Sequence, residues 1–233
     1  MKSNNLSIEP FGEALLAYWQ GDKSVVLTHE FKTGQKKSLP VSVFFRSLNE
    51  FLPTDNAVEF CRGKILVVGA GTGVHALELQ NQGYDVTAID ICPQAVQIMK
   101  ERGLKKVLFK DFNLFSERGF DTILLLGQNI GMCETLNGLE KILSKCKSIL
   151  SSNGILLVNS TEENNTYHSE PNNNYIGEIE FRLTYKNSTG PWMRWLHIDF
   201  NTLSSHAAKY GWSTDKVIEA KDHSFLARLS LRK

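Results

Sequence analysis

The sequence predicts an α/β fold: a mostly parallel sheet covered by helices on both faces. Three observations predict it. Apolar or β-branched runs without alternation recur between segments of helical period: ILVV at 65–68, VTAI at 86–89, ILLL at 123–126 and ILLV at 155–158. Strands that are apolar on both sides are buried on both sides, as in parallel sheets. The first run passes directly into Gly-Ala-Gly-Thr-Gly at 69–73, a strand, glycine loop and helix in succession. Finally, 233 residues, 42% apolar and 22% charged, suit one such domain with small appendages.

The elements follow in order. Residues 1–60 form a helical and hairpin cover. Phe11, Leu15, Tyr18 and Trp19 share a helix face; Val25–Thr28 and Gln35–Val43 read as strands around Thr33-Gly34; Phe44–Leu52 and Asp55–Cys61 read as short helices separated by Pro53. Residues 61–233 form the main domain. Lys64–Val68 is its first strand, and Val74–Gln82 a helix closed by Gly83. Asp85–Asp90 is a strand, and Pro93 opens a helix that ends at Gly103. Lys106–Phe109 and Phe120–Leu126 are strands. The apolar positions from Leu136 to Leu150 keep a 3.6 period, and Gly154–Asn159 is a strand again. Ile179, Phe181, Leu183 and Tyr185 alternate with Glu180, Arg182, Thr184 and Lys186, so 178–198 is an inserted antiparallel hairpin. Thr202–Tyr210 is a helix, and Val217–Ala220 with Phe225–Arg232 a closing antiparallel pair.

Composition excludes several classes. Twenty-six Lys and Arg against 25 Asp and Glu leave a net charge of +1, unlike the basic excess of a nucleic-acid binder. Cys61, Cys92, Cys133 and Cys146 form no CxxC pair and have no histidine at ligand spacing, so no metal site is expected. They read as reduced thiols, and with no leader pattern and no membrane-length apolar stretch the expected location is cytoplasmic.

The chemistry concentrates at the glycine loop. Gly69 lets the chain turn off its strand, and Gly71 and Gly73 let backbone N–H groups and a helix end approach a ligand. Asp90 ends the next strand, 17 positions after Gly73, where a carboxylate can accept both hydroxyl protons of a ribose. Asp111 follows the third strand. All three lie at C-terminal strand ends, where open α/β sheets bind ligands. The residues alone therefore predict a nucleoside-containing ligand. A dinucleotide site would favour GxGxxG; here the sixth position is Val74, which disfavours an NAD-dependent oxidoreductase.

GxGxG instead resembles the Rossmann-like S-adenosylmethionine-dependent methyltransferases. The resemblance covers most of the chain: GAGTG, Asp90, Asp111-Phe112, FDTILLLGQNIGM and the C-terminal antiparallel pair. More narrowly, VFFRSL, EIEFRLTY and HAAKYGW are similar to a bacterial group of small methyltransferases of undefined substrate. The resemblance implies a seven-stranded sheet with an antiparallel last strand, and S-adenosylmethionine as cofactor. It implies that Gly69, Ala70 and Gly71 line the methionine part and that Asp90 binds the ribose, with Ile91 on the adenine. Asp111 would accept from the adenine amino group with Phe112 beside the ring, and Gly127 and Gln128 would sit near the sulfonium. The family usually carries an acid two positions before the first glycine, helping to hold the amino end; here it is Val67. Arg46 is a candidate for the cofactor carboxylate. Candidates for the substrate side are Asn129, Tyr18, Trp19, Tyr167, His168 and Trp195, with competing readings as turn, core or hairpin residues. The long loop after the fifth strand invites a lid, and Glu162 or Glu163 a base. The expected acceptor is a small or medium-sized molecule, with no nucleic-acid or membrane partner. A protein or RNA methyltransferase, and a non-catalytic cofactor-binding protein, remain the alternatives.

Overall fold

The computed structural model describes residues 7–51, 53–162 and 175–232. Its central sheet has seven strands: β3 (Lys64–Val68), β4 (Asp85–Asp90), β5 (Val107–Phe109), β6 (Phe120–Leu125), β7 (Leu150–Thr161), β11 (Trp212–Glu219) and β12 (Ser224–Leu231), in the order β11-β12-β7-β6-β3-β4-β5. The five strands from β7 to β5 are parallel. β12 runs antiparallel to both its neighbours, β7 and β11. This is the sheet expected from the sequence.

The parallel strands bury both faces because helices follow them: α2 (Val74–Asn81), α3 (Pro93–Glu101) and α4 (Leu136–Ile149). Alternation then sorts each strand's side chains between two cores. Leu66 and Val68 join Ile123, Leu125, Leu139 and Leu143 on one face. Ile65 and Val67 join Ala76, Leu79, Leu124 and Leu126 on the other. α5 (Phe200–Lys209) closes the first core with Leu203 and Ala207, beside the fully buried Trp212. All four cysteines are buried and free.

A second sheet joins the two ends of the chain. β1 (Val26–Phe31) pairs with β2 (Lys36–Pro40) and also with β8 (Glu178–Tyr185), which pairs with β10 (Met193–Leu196); the two-residue β9 (Ser188–Thr189) sits on β8. The register sets Thr28 opposite Thr184 and Phe31 opposite Phe181. The N-terminal strands and the inserted hairpin are thus one antiparallel sheet. Its inner face, Leu27, Phe31, Ile179, Phe181 and Leu183, encloses a third core with α1 (Glu9–Trp19) and α3. Gly12 permits that contact, since a Cβ there would strike the Gln94 side chain.

Several expectations change, among them the closing strand expected at Val217–Ala220, which runs from Trp212 to Glu219 along β12. Among the described residues the helix predicted at 44–52 does not form. The chain makes a 3-10 turn at Val41–Phe44 and then bends, because the Asp55 carboxylate draws in the N–H groups of Glu50 and Phe51 at 3.1 and 3.0 Å and Asn49 turns to φ +75. Residues 55–60 form a 3-10 rather than an α-helix. The fifth strand runs six residues further than its apolar centre, from Leu150 to Thr161: β12 pairs with its end at 160–161, and β6 pairs with its start at Leu150 through Phe120.

The hairpin is tied to the main domain at the start of α4. Thr135 caps this helix through the Gly138 N–H, and the Glu178 carboxylate of β8 accepts the Leu136 N–H at 2.8 Å. Both place an oxygen acceptor at a helix N-terminus, which stabilises it. Replacing a helical glycine by alanine normally stabilises a helix by about 1 kcal/mol. At Gly138, however, a Cβ would overlap the backbone carbonyl oxygen of Cys133. Gly138→Ala is therefore expected to lower the thermal midpoint, and calorimetry showing an unchanged or raised midpoint would contradict this packing.

Candidate active site

The glycine loop is shaped by its neighbours on β4. Gly69 and Ala70 donate their N–H groups to the Ile89 carbonyl, at 2.9 and 3.2 Å. Gly69, Gly71 and Gly73 all have positive φ, at 62, 57 and 87°, which glycine adopts without steric cost. The Asp90 carboxylate then bridges two loops. Oδ2 accepts the Gly71 N–H and Oδ1 the Cys92 N–H, both at 2.8 Å. Burial pushes the Asp90 carboxyl up, against the downward pull of those N–H groups. Each carboxylate oxygen has a second lone pair left for a ligand hydroxyl.

The C-terminal end of β6 lies beside this loop. Gly127 and Gln128 both turn to positive φ, at 68 and 61°. The Gln128 N–H is anchored on Asn159 Oδ1 at 3.1 Å. Residues Asn129–Cys133 form a 3-10 turn, and Glu134 follows at φ 64, ψ −45, with the Thr135 N–H on the Cys133 carbonyl at 2.7 Å. Two non-glycine residues in sparsely populated backbone conformations thus bracket this turn, a pattern that clusters at functional sites. Asn129 Nδ2 donates to the Val68 and Gly69 carbonyls, at 3.0 and 2.8 Å.

A strap from the N-terminal region crosses the glycine loop. The Thr72 hydroxyl donates to the Phe44 carbonyl, and Arg102 donates to Thr72 O and Oγ1 at 2.8 and 3.0 Å. Arg46 Nη2 pairs with Asp55 Oδ1 at 2.6 Å, and His75 Nε2, in the first turn of α2, meets the same oxygen at 3.0 Å. Burial raises the Asp55 carboxyl, but the bonds from His75 and the Phe51 N–H, with the charge of Arg46, outweigh it and hold it at about 2.

The arrangement fits an adenosine carrying an amino-acid tail. Beyond Gly71 and Gly127 there is open space where a Cβ would stand. The acceptors of Asp90 lie on the β4 side of the glycine loop, and Gly127 on its β6 side. A crystal structure of an S-adenosylmethionine-dependent methyltransferase from Bacteroides fragilis, in complex with S-adenosyl-L-homocysteine, is 34% identical; the match covers 98% of this chain and 97% of that one with a TM-score of 0.88. The chain belongs to the S-adenosylmethionine-dependent methyltransferases. A family model described as a methyltransferase domain matches residues 66–158 of this methyltransferase. A ubiquinone biosynthesis O-methyltransferase of Pasteurella multocida (strain Pm70) is 28% identical over 106 residues, 40% of this chain and 44% of that protein. The methyltransferase therefore matches less than half the length of this curated relative. The sugar N-methyltransferase KedS8 from Streptoalloteichus sp ATCC 53650 shares the fold, at a TM-score of 0.58 and 14% identity over 82% of this chain and 92% of that one.

Within the methyltransferase, the expected site residues separate into groups. Gly69, Ala70, Gly71, Asp90, Gly127 and Gln128 come together along the C-terminal edge of the sheet, and partly buried Ile91 follows Asp90. Asp111 Oδ1 is occupied locally, accepting from the backbone and side chain of Asn113 at 2.8 and 3.1 Å. Phe112 points into the first core, 4% exposed, while Phe109 and Leu114 are exposed nearby. Arg46 is engaged by Asp55 and stacks on Phe51, so its charge is already paired. Trp19 donates its indole N–H to Glu101 at the far end of α3, roughly 12 Å along that helix from Pro93. Tyr18 and Trp19 both stack on Phe45 of the strap. Both brace the strap, and Trp19 is also held on α3. Trp195 lies against Gly131 in the 3-10 turn after β6, where a Cβ would overlap its indole. Tyr167, His168 and Glu163 lie outside the described residues; Glu162 is exposed.

Sequence reasoning passed over Asp55 and Thr72. Asp55 is 1% exposed, yet it sits among polar neighbours in a segment without period, so no pattern marked it. Thr72 is one of the two non-glycine positions within GAGTG, and its hydroxyl takes its role from the strap and Arg102, which come from elsewhere in the chain. Linkage gives Asp55 a signature. Its folded pKa lies below the ordinary 3.8, so its contribution is present above pH 3.8 and is lost as pH falls towards 2. That contribution is on the order of 2 kcal/mol. Denaturant titrations across this window should show the wild-type stability falling more steeply than that of Asp55→Asn; parallel curves would remove the Asp55 ion pair as a stabilising element.

Proposed function

We propose that this protein transfers a methyl group from S-adenosylmethionine to a small or medium-sized acceptor, bound between the glycine-loop edge of the main sheet and the second sheet. The observation that carries the reading is the Asp90 carboxylate, fixed by the Gly71 and Cys92 N–H groups beside two glycines that open on empty space. The 34% identical Bacteroides fragilis protein, matched over nearly the whole chain and bound to S-adenosyl-L-homocysteine, supports it.

The chain's part in the reaction is to bind and align. S-adenosylmethionine supplies a methyl group on a positively charged sulfur, already activated towards a nucleophile. Asp90 would hold the ribose hydroxyls, and the Asp111 to Leu114 turn, with exposed Leu114 and with Phe109 at the end of β5, would take the base. Gly71 and Gly127 would let the chain approach the rest of the cofactor closely. The strap, pinned by Thr72 and Asp55, would exclude water from the glycine loop, and positioning with water exclusion is the main demand of an in-line transfer. The 3-10 turn at 129–133, with Trp195 over it, borders the acceptor side. On the outer face of the second sheet the charges are paired, Arg182 with Glu30 and Arg194 with Glu180. That pairing, with the net charge of +1, favours a small molecule over nucleic acid. Among the described residues no helix is long and apolar enough to cross a membrane.

Calorimetric titration with S-adenosylhomocysteine and with NAD tests the cofactor side. Affinity for the former is expected, and Asp90→Ala should weaken it at least tenfold, since charge-assisted hydrogen bonds are lost. Turnover is tested by release of S-adenosylhomocysteine in the presence of small-molecule acceptor libraries. Binding of NAD alone would overturn the reading, and binding without turnover across all acceptors would favour a non-catalytic cofactor-binding protein.

A further inference from the structure

Position 67 holds a valine packed among Ile65, Ala76, Leu79 and Leu124, 4% exposed. It offers no polar atom to a ligand. Yet the amino-acid end of S-adenosylmethionine carries an ammonium with three N–H donors, which need acceptors once removed from water.

Strand order indicates where that end lies. β5, β4, β3 and β6 stand side by side. Asp111, Asp90, the glycine loop and the 127–129 turn therefore follow one another along the C-terminal edge. With the adenosine over Asp90 and Asp111, the sulfur and the amino-acid tail fall over β3 and β6. Gly71 and Gly127 leave open space there.

Asn129 stands at that end. Its Nδ2 gives its two hydrogens to the carbonyls of Val68 and Gly69. These contacts identify the nitrogen, because an oxygen placed against two carbonyl oxygens would be repelled. The amide is planar, so Oδ1 is fixed away from those carbonyls. Among the described residues Oδ1 has no partner, and it is not one of the buried unpaired atoms. It therefore opens on the strand ends as an acceptor. Gly69 is matched to this arrangement, since a Cβ there would come within 2.5 Å of Nδ2.

We propose that Asn129 holds the cofactor's ammonium, Oδ1 accepting one of its N–H groups while Nδ2 locks the glycine turn. The acceptor missing from β3 at Val67 is supplied from the end of β6. This rests on the proposed function, because it takes the adenosine to lie over Asp90 and Asp111.

The test compares two ligands by calorimetry: S-adenosylhomocysteine, and its deaminated analogue with hydrogen in place of the amino group. The wild type should prefer S-adenosylhomocysteine by about tenfold or more, the effect of one charge-assisted hydrogen bond. Asn129→Ala should erase that preference. Any loss from a loosened Gly69 turn weakens both ligands alike and cancels in the ratio. A preference that survives the substitution overturns the proposal. Thermal denaturation without ligand reports folding, and Asn129→Ser is the second variant. Should neither fold, the wild-type ratio decides: equal affinities overturn the proposal and a tenfold preference supports it. A wild type that binds neither ligand refutes the proposed function itself.

Discussion

The bond from the Gly71 amide to the Asp90 carboxylate is the contact on which the site depends. It joins the loop after β3 to the loop after β4 at their tips, where the sheet itself no longer holds them. The Asp90 side chain is nearly buried, and a carboxylate in that position is costly unless hydrogen bonds meet it. The Gly71 and Cys92 N–H groups do so. In return the carboxylate fixes a loop that three positive-φ glycines would otherwise leave free. Because both partners lie at adjacent strand ends, the parallel pairing of β3 with β4 sets their spacing.

Other elements converge on the same loop from different parts of the chain. Asn129 reaches it from β6, Thr72 ties it to the strap, and Asp55 fastens the strap to His75 at the head of α2. A second sheet, made from the N-terminal strands and the inserted hairpin, stands behind the strap through α1 and its aromatic contacts with Phe44 and Phe45. The glycine-loop edge and the second sheet are thus mechanically linked: strap and second sheet share the core around Leu15 and Phe181. Glu178 and Trp195 bring the same cover down on the turn after β6.

Where sequence reading succeeded, the cause was periodicity imposed by burial. β4 begins and ends at the residues its pattern marks, and α4 follows its 3.6 repeat, because both are buried on defined faces. Where it missed, a long-range contact overrode a local signal. Residues 44–52 carry helical apolar spacing, but Asp55 captures two of their amides and Asn49 takes a positive φ. Arg46 had the charge to meet a carboxylate, and it meets that of Asp55. For Tyr18 and Trp19 the sequence left a pocket roof and core packing side by side, and the docking of their helix on α3 sets them against Phe45 and Glu101.

The sequence by itself determined the layer order, the glycine loop and the line of acidic residues at strand ends. Each of these follows from local pattern: buried strands must be apolar on both faces, and only glycine turns the chain so tightly off a strand. Tertiary structure alone decided that the first 60 residues and the 178–198 hairpin share one sheet, because strand pairing at a separation of about 150 residues leaves no trace in either segment. It likewise decided the partners of Asp55 and the orientation of Asn129. A side-chain amide or carboxylate takes its role from whichever backbone groups are brought within about 3 Å of it, and those groups come from other strands.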